Sequence, residues 1–521
     1  MSADYDIAVV GSGFAGSLLA MIARRLGRSV LLLERGKHPR FAIGESSTPL
    51  ANLLLEDLSI RYNLRNLTPL SKWGPWQKTY PEIGCGLKRG FTFYHHRFGS
   101  RAAMDSDRRD QLLVAASPHD AIADTHWYRA EVDALFVRES QNIGVDYLDE
   151  VQLHSASERD EEVRLDGTRH GQPLTVCARF VVDATGPRGF LHRAFALPEL
   201  ALPNFPQTQA LYTHFTNVRR LDEIPLETNS EVPPYPLDDA AVHHVFEGGW
   251  IWVLRFGNGI TSAGVAATNP VAARFGLSEG APGWHRLLQC LPTVHDQFAS
   301  AIAERPFIHT PRLSFRSGIV AGKRWALLPS AAGFVDPLLS TGFPLVLLGV
   351  TRLAEIFERD WDSPRFNQAL ATYARQTEDE LLVTARLIGS LYDSMANFPL
   401  FVSLSLLYFA AASFSETARR LGRPHLASSF LLHDHPLFQT QPLFERARAV
   451  GNEEETQALC VDTLRAIEPF NVAGLGDPLR RNWYPADAED ILRAAPKLGA
   501  NRDEVARLLA RCGFQSSAKC S

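Results

Sequence analysis

Apolar positions in this chain fall first into short unbroken runs and later into alternating or helical patterns. Ile7-Ala8-Val9-Val10 reads as a strand buried on both faces, followed at once by Gly11-Ser12-Gly13-Phe14-Ala15-Gly16 and a helical pattern from Leu18 to Leu26. A second strand, Ser29 to Leu33, ends in Glu34. Phe180-Val181-Val182-Asp183 repeats the buried-strand pattern and runs into the small-residue turn Ala184-Thr185-Gly186. Between about 205 and 320 the pattern shifts to short strands such as His243 to Phe246, Gly249 to Phe256 and Ser262 to Ala267, which predict a mixed or antiparallel sheet. Trp250 and Trp252, two apart on such a strand, share a face. A short strand, Trp325 to Leu328, precedes Gly333-Phe334-Val335-Asp336-Pro337-Leu338-Leu339-Ser340-Thr341-Gly342 and an apolar helical segment from Phe343. From there the pattern is helical nearly to the end, with fraying expected from about Ser516.

One run, Met395 to Ser415, carries no charged residue and is long enough to span a bilayer. It also holds Asn397, Pro399, Ser403, Ser405, Tyr408 and Ser413, which favour a buried or pocket-lining helix over a membrane span.

Composition narrows the class. A chain of 521 residues exceeds one typical core, so two or three substructures are expected. With 45% hydrophobic residues, 21% charged and a formal net charge of -5, it reads as a globular protein without the basic face of a nucleic-acid binder. Its six cysteines are scattered, with no Cys-Xaa-Xaa-Cys spacing and no leader-like stretch before the first strand. Free thiols, a cytoplasmic location and no metal site are the expectation.

The glycine turn between strand and helix, with an acid ending the next strand, is the dinucleotide fingerprint in its required context. Glycines allow the tight turn and close pyrophosphate approach, and Glu34 is placed to accept from a ribose hydroxyl. That pattern alone leaves FAD and NAD open. The Gly333 to Gly342 stretch enters a helix, whose N-terminal amides favour an anion. Lys88 lies on a strand, where a solvated side chain is the ordinary expectation. Arg129 opens a helix and either clamps a cofactor phosphate or pairs with Glu131 or Asp133.

Taken in order, these positions resemble the FAD-dependent halogenases of phenolic substrates, within the flavin monooxygenases of the para-hydroxybenzoate hydroxylase type. The matching residues are Gly11 to Gly16 with Glu34, the loop Gly44-Glu45-Ser46, Lys88, Trp127 to Arg129, Asp183 to Gly186, Trp250 with Trp252, and Gly333 to Gly342. The resemblance implies FAD as cofactor, reduced by a separate flavin reductase, with chloride or bromide as co-substrate. It assigns cofactor binding to Gly11, Gly13, Phe14, Ala15, Gly16, Glu34, Arg35, Ser46, Arg129, Asp183, Gly186, Asp336 and Gly342, and halide binding to the amides of Thr341 and Gly342. Lys88 becomes the catalytic residue, hydrogen-bonding hypohalous acid or forming a haloamine with it, at the end of a tunnel walled by Trp250, Trp252 and Arg255. The Gly44 to Thr48 loop corresponds to the strap between flavin and halide sites. The other partner implied is a small aromatic substrate, free or bound to a carrier protein, and membrane attachment is not expected.

The implied fold is α/β, a Rossmann-like FAD-binding domain with a mixed or antiparallel sheet substrate domain and a helical C-terminal region. Its expected boundaries are residues 1–200 with substrate-domain strands inserted at about 80–110, then 201–310, 311–375 and 376–521. Two positions depart from the family pattern. Arg255 stands where the tryptophan motif usually continues into proline, and an unpaired charge there points to a changed substrate or a flavin hydroxylase, the alternative reading. Leu339 stands where tryptophan halogenases carry a glutamate, which favours an electron-rich phenol over an indole. A non-redox flavoprotein that docks a carrier through its helical C-terminus is the remaining alternative.

Overall fold

The computed structural model describes residues 4–102, 107–224 and 231–514, so the tail from Ser516 lies outside the described residues. In chain order the first elements are strand β1 (Tyr5–Val10), helix α1 (Phe14–Arg25), β2 (Val30–Leu33) and helix α2 (Pro49–Arg61). Next come β3 (Cys85–Lys88), β4 (Gly90–His96), β5 (Gln111–Ala115), β6 (Asp124–Trp127), helix α3 (Arg129–Asn142) and β7 (Asp146–Leu148). After these run β8 (Val151–Glu158), β9 (Val163–Arg169), β10 (Gln172–Asp183), β11 (Thr208–Thr216), β12 (Ala241–Phe246), β13 (Gly249–Arg255) and β14 (Thr261–Thr268). The helical part contains α4 (Gly342–Arg359), α5 (Phe366–Ser394) and α6 (Phe398–Arg420).

Two sheets organise the molecule. The first is parallel through β7-β2-β1-β10, with the short strand Trp325–Leu327 also parallel to β10 and a β9-β8 hairpin antiparallel beyond it. β2 and the last four residues of β1 are buried, and α1 packs against both strands. The second sheet carries β11-β14-β13-β12-β4-β5 in that order, antiparallel except where β4 runs parallel to β12. Early strands β4 and β5 therefore sit in the later sheet. β3 and β6 form a separate two-stranded ladder. It is pressed so closely on β13 that a Cβ on Gly86 would lie 1.9 Å from the Arg255 carbonyl oxygen.

The uncharged run becomes α6, ended by Gly422 at φ +74. Both it and the segment Leu338–Arg359 are apolar and long enough to cross a membrane, yet 83% and 72% of their most apolar windows are buried inside the protein. Phe401, Tyr408 and Phe409 of α6 pack against Phe91 and Phe93 of β4, so the second sheet supplies the apolar partner of this helix.

Candidate functional site

The glycine turn after β1 is as tight as its sequence demands. A Cβ on Gly16 would stand 2.0 Å from the Gly11 carbonyl oxygen, and one on Gly11, at φ +103, would stand 2.7 Å from that of Ala184. The small-residue turn after β10 thus passes directly against the glycine loop. The Asp133 carboxylate accepts from the Phe14 amide at 3.1 Å, so the N-terminus of α1 takes an anionic oxygen. Arg129 grips that carboxylate with Nε and Nη2, both at 2.9 Å, and donates through Nη1 to the carbonyls of Ile43 and Gly44. Its guanidinium stands 3.4 Å from where a Cβ on Gly13 would be. Glycine backbone, free helix amides and an arginine in one place suit a dinucleotide pyrophosphate.

Glu34 ends β2 and accepts from Ser12 Oγ, from the amides of Ser12 and Gly36, and from Arg40. Burial raises its pKa, but Arg40 and these hydrogen bonds outweigh that and hold the carboxyl at about 2. The cation beside Glu34 is Arg40; Arg35, expected at the cofactor, is exposed.

Two further expectations need correction. Asp183 accepts from Thr185 N, Thr185 Oγ1 and Leu191 N, which binds it to its own turn. Asp336 accepts from Leu338 N and Trp250 Nε1 with one oxygen and from Tyr392 Oη with the other. Both carboxylates, expected to contact the cofactor, turn to protein donors, because each is buried and an unpaired charge there is costly.

Asp336 belongs to the loop that enters α4. Leu339 and Ser340 both lie in the left-handed region, at φ 63 and 55, a strained pair for residues with side chains. Thr341 caps α4 without a side-chain hydrogen bond, and a Cβ on Gly342 would meet nothing within 4 Å. Helix amides and open space coincide at the residues expected to hold halide.

The strap is added to the edge of β6. Ser47 exchanges hydrogen bonds with Thr125, Ser46 bridges His126, and the Trp127 amide donates to the Glu45 carbonyl at 2.6 Å. Across β6 from the strap, β3 delivers Lys88. Its ammonium is fully buried rather than solvated, donating to the Ser47 carbonyl at 2.5 Å and lying 3.9 Å from the Phe91 ring centre. Five buried polar atoms of the strap and β6, Glu45 Oε2, Ser46 Oγ, Asp124 Oδ2 and both ring nitrogens of His126, have no side-chain hydrogen-bond partner within the protein. From Phe91 an aromatic row leads through Phe93, His243 and Trp250 to Trp252, with adjacent ring centres 4.5 to 6.2 Å apart. Burial holds the His243 imidazole neutral, down to about 3. Through its bond to Asp336, Trp250 ties this row to the α4 entry loop.

Arg255 is not part of that wall. Strand alternation puts Trp250, Trp252 and Leu254 in one core and Ile251 and Val253 in the other, so Arg255 leaves β13 on the face opposite the tryptophans. There it donates to Asp238 at 2.6 Å and to the carbonyls of Val218 and Arg219.

Comparison with known proteins agrees with this arrangement. Residues 9–79 match the family model of an NAD(P)-binding Rossmann-like domain. The tetracycline 7-halogenase of Kitasatospora aureofaciens is 28% identical over 78% of this chain and 73% of its own. The monodechloroaminopyrrolnitrin halogenase PrnC of Pseudomonas fluorescens is 27% identical over 73% and 66%. In sequence the chain is similar to flavin-dependent halogenases over about three quarters of its length. The crystal structure of halogenase PltM shares the fold, with a TM-score of 0.81 and 24% identity over 92% of this chain and 99% of that one. PltM has also been solved with phloroglucinol and FAD, a structure 22% identical and with a TM-score of 0.72 over 98% of this chain and 96% of that one.

For this halogenase fold the sequence pointed to the glycine loop, the strap, the tryptophan pair and Lys88. Asp124, Asn52, His243, Tyr392 and Arg40 went unread. All but Arg40 matter through a partner distant in the chain; Arg40, six residues after Glu34, carries a local signal.

Proposed function

We propose that this chain is an FAD-dependent halogenase that transfers chlorine or bromine to an electron-rich, phenolic ring, with Lys88 holding the hypohalous acid. The carrying observation is the Lys88 ammonium, fully buried on the strap at one end of an aromatic row whose other end is bonded to the α4 entry loop. When bound, FAD, reduced by a separate flavin reductase, supplies with oxygen the oxidising equivalents that convert halide to hypohalous acid.

The chain's own residues do the rest. Gly11, Gly13, the N-terminal turn of α1 and Arg129 hold the pyrophosphate, Glu34 accepts from a ribose hydroxyl, and the amides of Thr341 and Gly342 hold the halide. The row from Trp250 to Phe91 excludes water along the way. Lys88 donates an N–H to the oxygen of the hypohalous acid and so polarises the oxygen–halogen bond. The ring attacks the halogen, that bond breaks, and the departing hydroxide with the displaced ring proton becomes water. A phenol needs less activation than an indole, which suits Leu339 at the loop. The hydroxylase alternative drew on an unpaired Arg255, and Arg255 is paired with Asp238 away from the wall.

The test is mass spectrometry of a reaction containing protein, FAD, flavin reductase, NADH, oxygen, bromide or chloride, and a panel of phenols and indoles. A phenol gaining a halogen isotope pattern only with halide and protein present is the expected result. A product that gains oxygen regardless of halide would make the chain a hydroxylase instead.

A further inference from the structure

A second ionisable group faces Lys88. In the antiparallel β3–β6 pair Lys88 lies directly opposite Asp124, so the two side chains leave the ladder on the same face. Both are buried, at 0% and 6% exposure. Asp124 Oδ1 accepts from Asn52 Nδ2 of α2 at 2.7 Å, while Oδ2 has no partner within the protein. On Lys88, one N–H is taken by the Ser47 carbonyl. The pair therefore presents a free carboxylate oxygen and uncommitted ammonium hydrogens on one face of a buried ladder.

The remaining neighbours do not compete for the Lys88 charge. His126 on β6 and His243 on β12 are held neutral by burial, and Tyr408 on α6 is kept as the phenol. Glu416 and Arg420, also on α6, bond each other at 2.7 Å and largely cancel. Burial pushes Lys88 down towards the neutral amine and the Asp124 carboxyl up towards the neutral acid, and each is the main charge that keeps the other ionised.

We propose that Asp124, oriented by Asn52 and standing opposite Lys88 across the ladder, is the positioning residue of Lys88, keeping it protonated for donation to hypohalous acid. The proposal rests on the reading of Lys88 given above. Removing the carboxylate charge lets burial win, so Lys88 loses its proton at lower pH and donation fails earlier on the alkaline side.

The experiment follows bromination of phloroglucinol from about pH 6 to pH 9, the range that brackets a lysine lowered by burial, with reductase, FAD and bromide. Asp124→Asn is expected to move the alkaline limb of kcat/KM down by about one pH unit and to cut kcat/KM about tenfold near its foot. Flavin content and trapped hypobromous acid are expected at native levels, because the nucleotide loop and the α4 entry are untouched. Asp124→Glu is expected to restore the limb. Asn52→Ala, which loosens the carboxylate without removing it, is expected to move the limb the same way by less, and it decides the matter if Asp124→Asn does not fold. A native pH profile in Asp124→Asn or an unmoved limb in Asn52→Ala, with bromination lost in Lys88→Ala, would overturn the role of Asp124 alone. Bromination persisting in Lys88→Ala would overturn the assignment of Lys88, and this proposal with it.

Discussion

Lys88 and Arg255 show how far burial and pairing change a residue's meaning. A lysine on a strand is ordinarily solvated, yet this one is buried on the strap, where its charge meets a carbonyl and a ring face and Asp124 stands opposite it across the ladder. Lys88→Met keeps the apolar stem and removes the donor. It is expected to lower halogenated product about a hundredfold or more while flavin loading and hypohalous acid release persist, as read by mass spectrometry, flavin absorbance and a hypohalous acid trap. Arg255 is the reverse case, a charge suspected at the site that proves structural. Arg255→Met strands Asp238, whose own exposure is 2%, and is expected to cost about 3 kcal/mol of stability in denaturant titration. Halogenation per folded molecule is expected to be unchanged.

At the scale of elements, the parts legible in the sequence were those whose signal is local. The β1–α1 turn declares itself because no side chain fits there, and the tryptophans at 250 and 252 share a face because strands alternate. The α4 entry loop was legible as a helix start but not in its detail. The left-handed pair Leu339-Ser340 and the turning of Asp336 towards Trp250 and Tyr392 depend on α5 and β13, distant in the chain. So does Asp124, because nothing in a sequence shows that it stands opposite Lys88. Burial pushes the Asp336 carboxyl up to about 7, yet three donors converge on it, so it behaves as the fastener between the loop and the aromatic row. Asp336→Asn turns an amide N–H₂ towards one of those donors. It is expected to cost about 1 to 3 kcal/mol and to raise the share of hypohalous acid escaping to a solution trap, because Trp250 is no longer fixed. Unchanged coupling of oxidant to product would mean the row does not guide it.

For the whole molecule, the central sheet and α6 enclose a set of imidazoles that burial keeps neutral. His126 and His243 are held at about 3 and His244 at about 4, against an ordinary histidine near 6.5. His244 is further fixed by His96 at 2.9 Å and Gln297 at 2.9 Å, a chain that fills the core beside β4 and β12. In the unfolded chain these rings bind protons near pH 6.5, whereas in the folded chain they do so only near pH 3 to 4. Unfolding therefore takes up protons throughout the interval between, and stability must fall as pH falls. Their contribution is complete above about pH 6.5 and disappears progressively down to about pH 3 to 4. Each ring contributes up to about 1.4 kcal/mol per pH unit within that interval. Urea unfolding at neutral pH and about one unit below pH 6.5 is expected to show the midpoint falling in acid with the slope of the transition unchanged. Replacing His244 by Gln removes one titrating ring and the partner of the buried His96 imidazole, and the dependence on pH is expected to flatten. A midpoint that stayed level between the two pH values would mean that these rings already carry protons in the folded state. The aromatic row around His243 would then hold a cation, and an electron-rich ring rather than neutral stacking would be what that wall is built to accept.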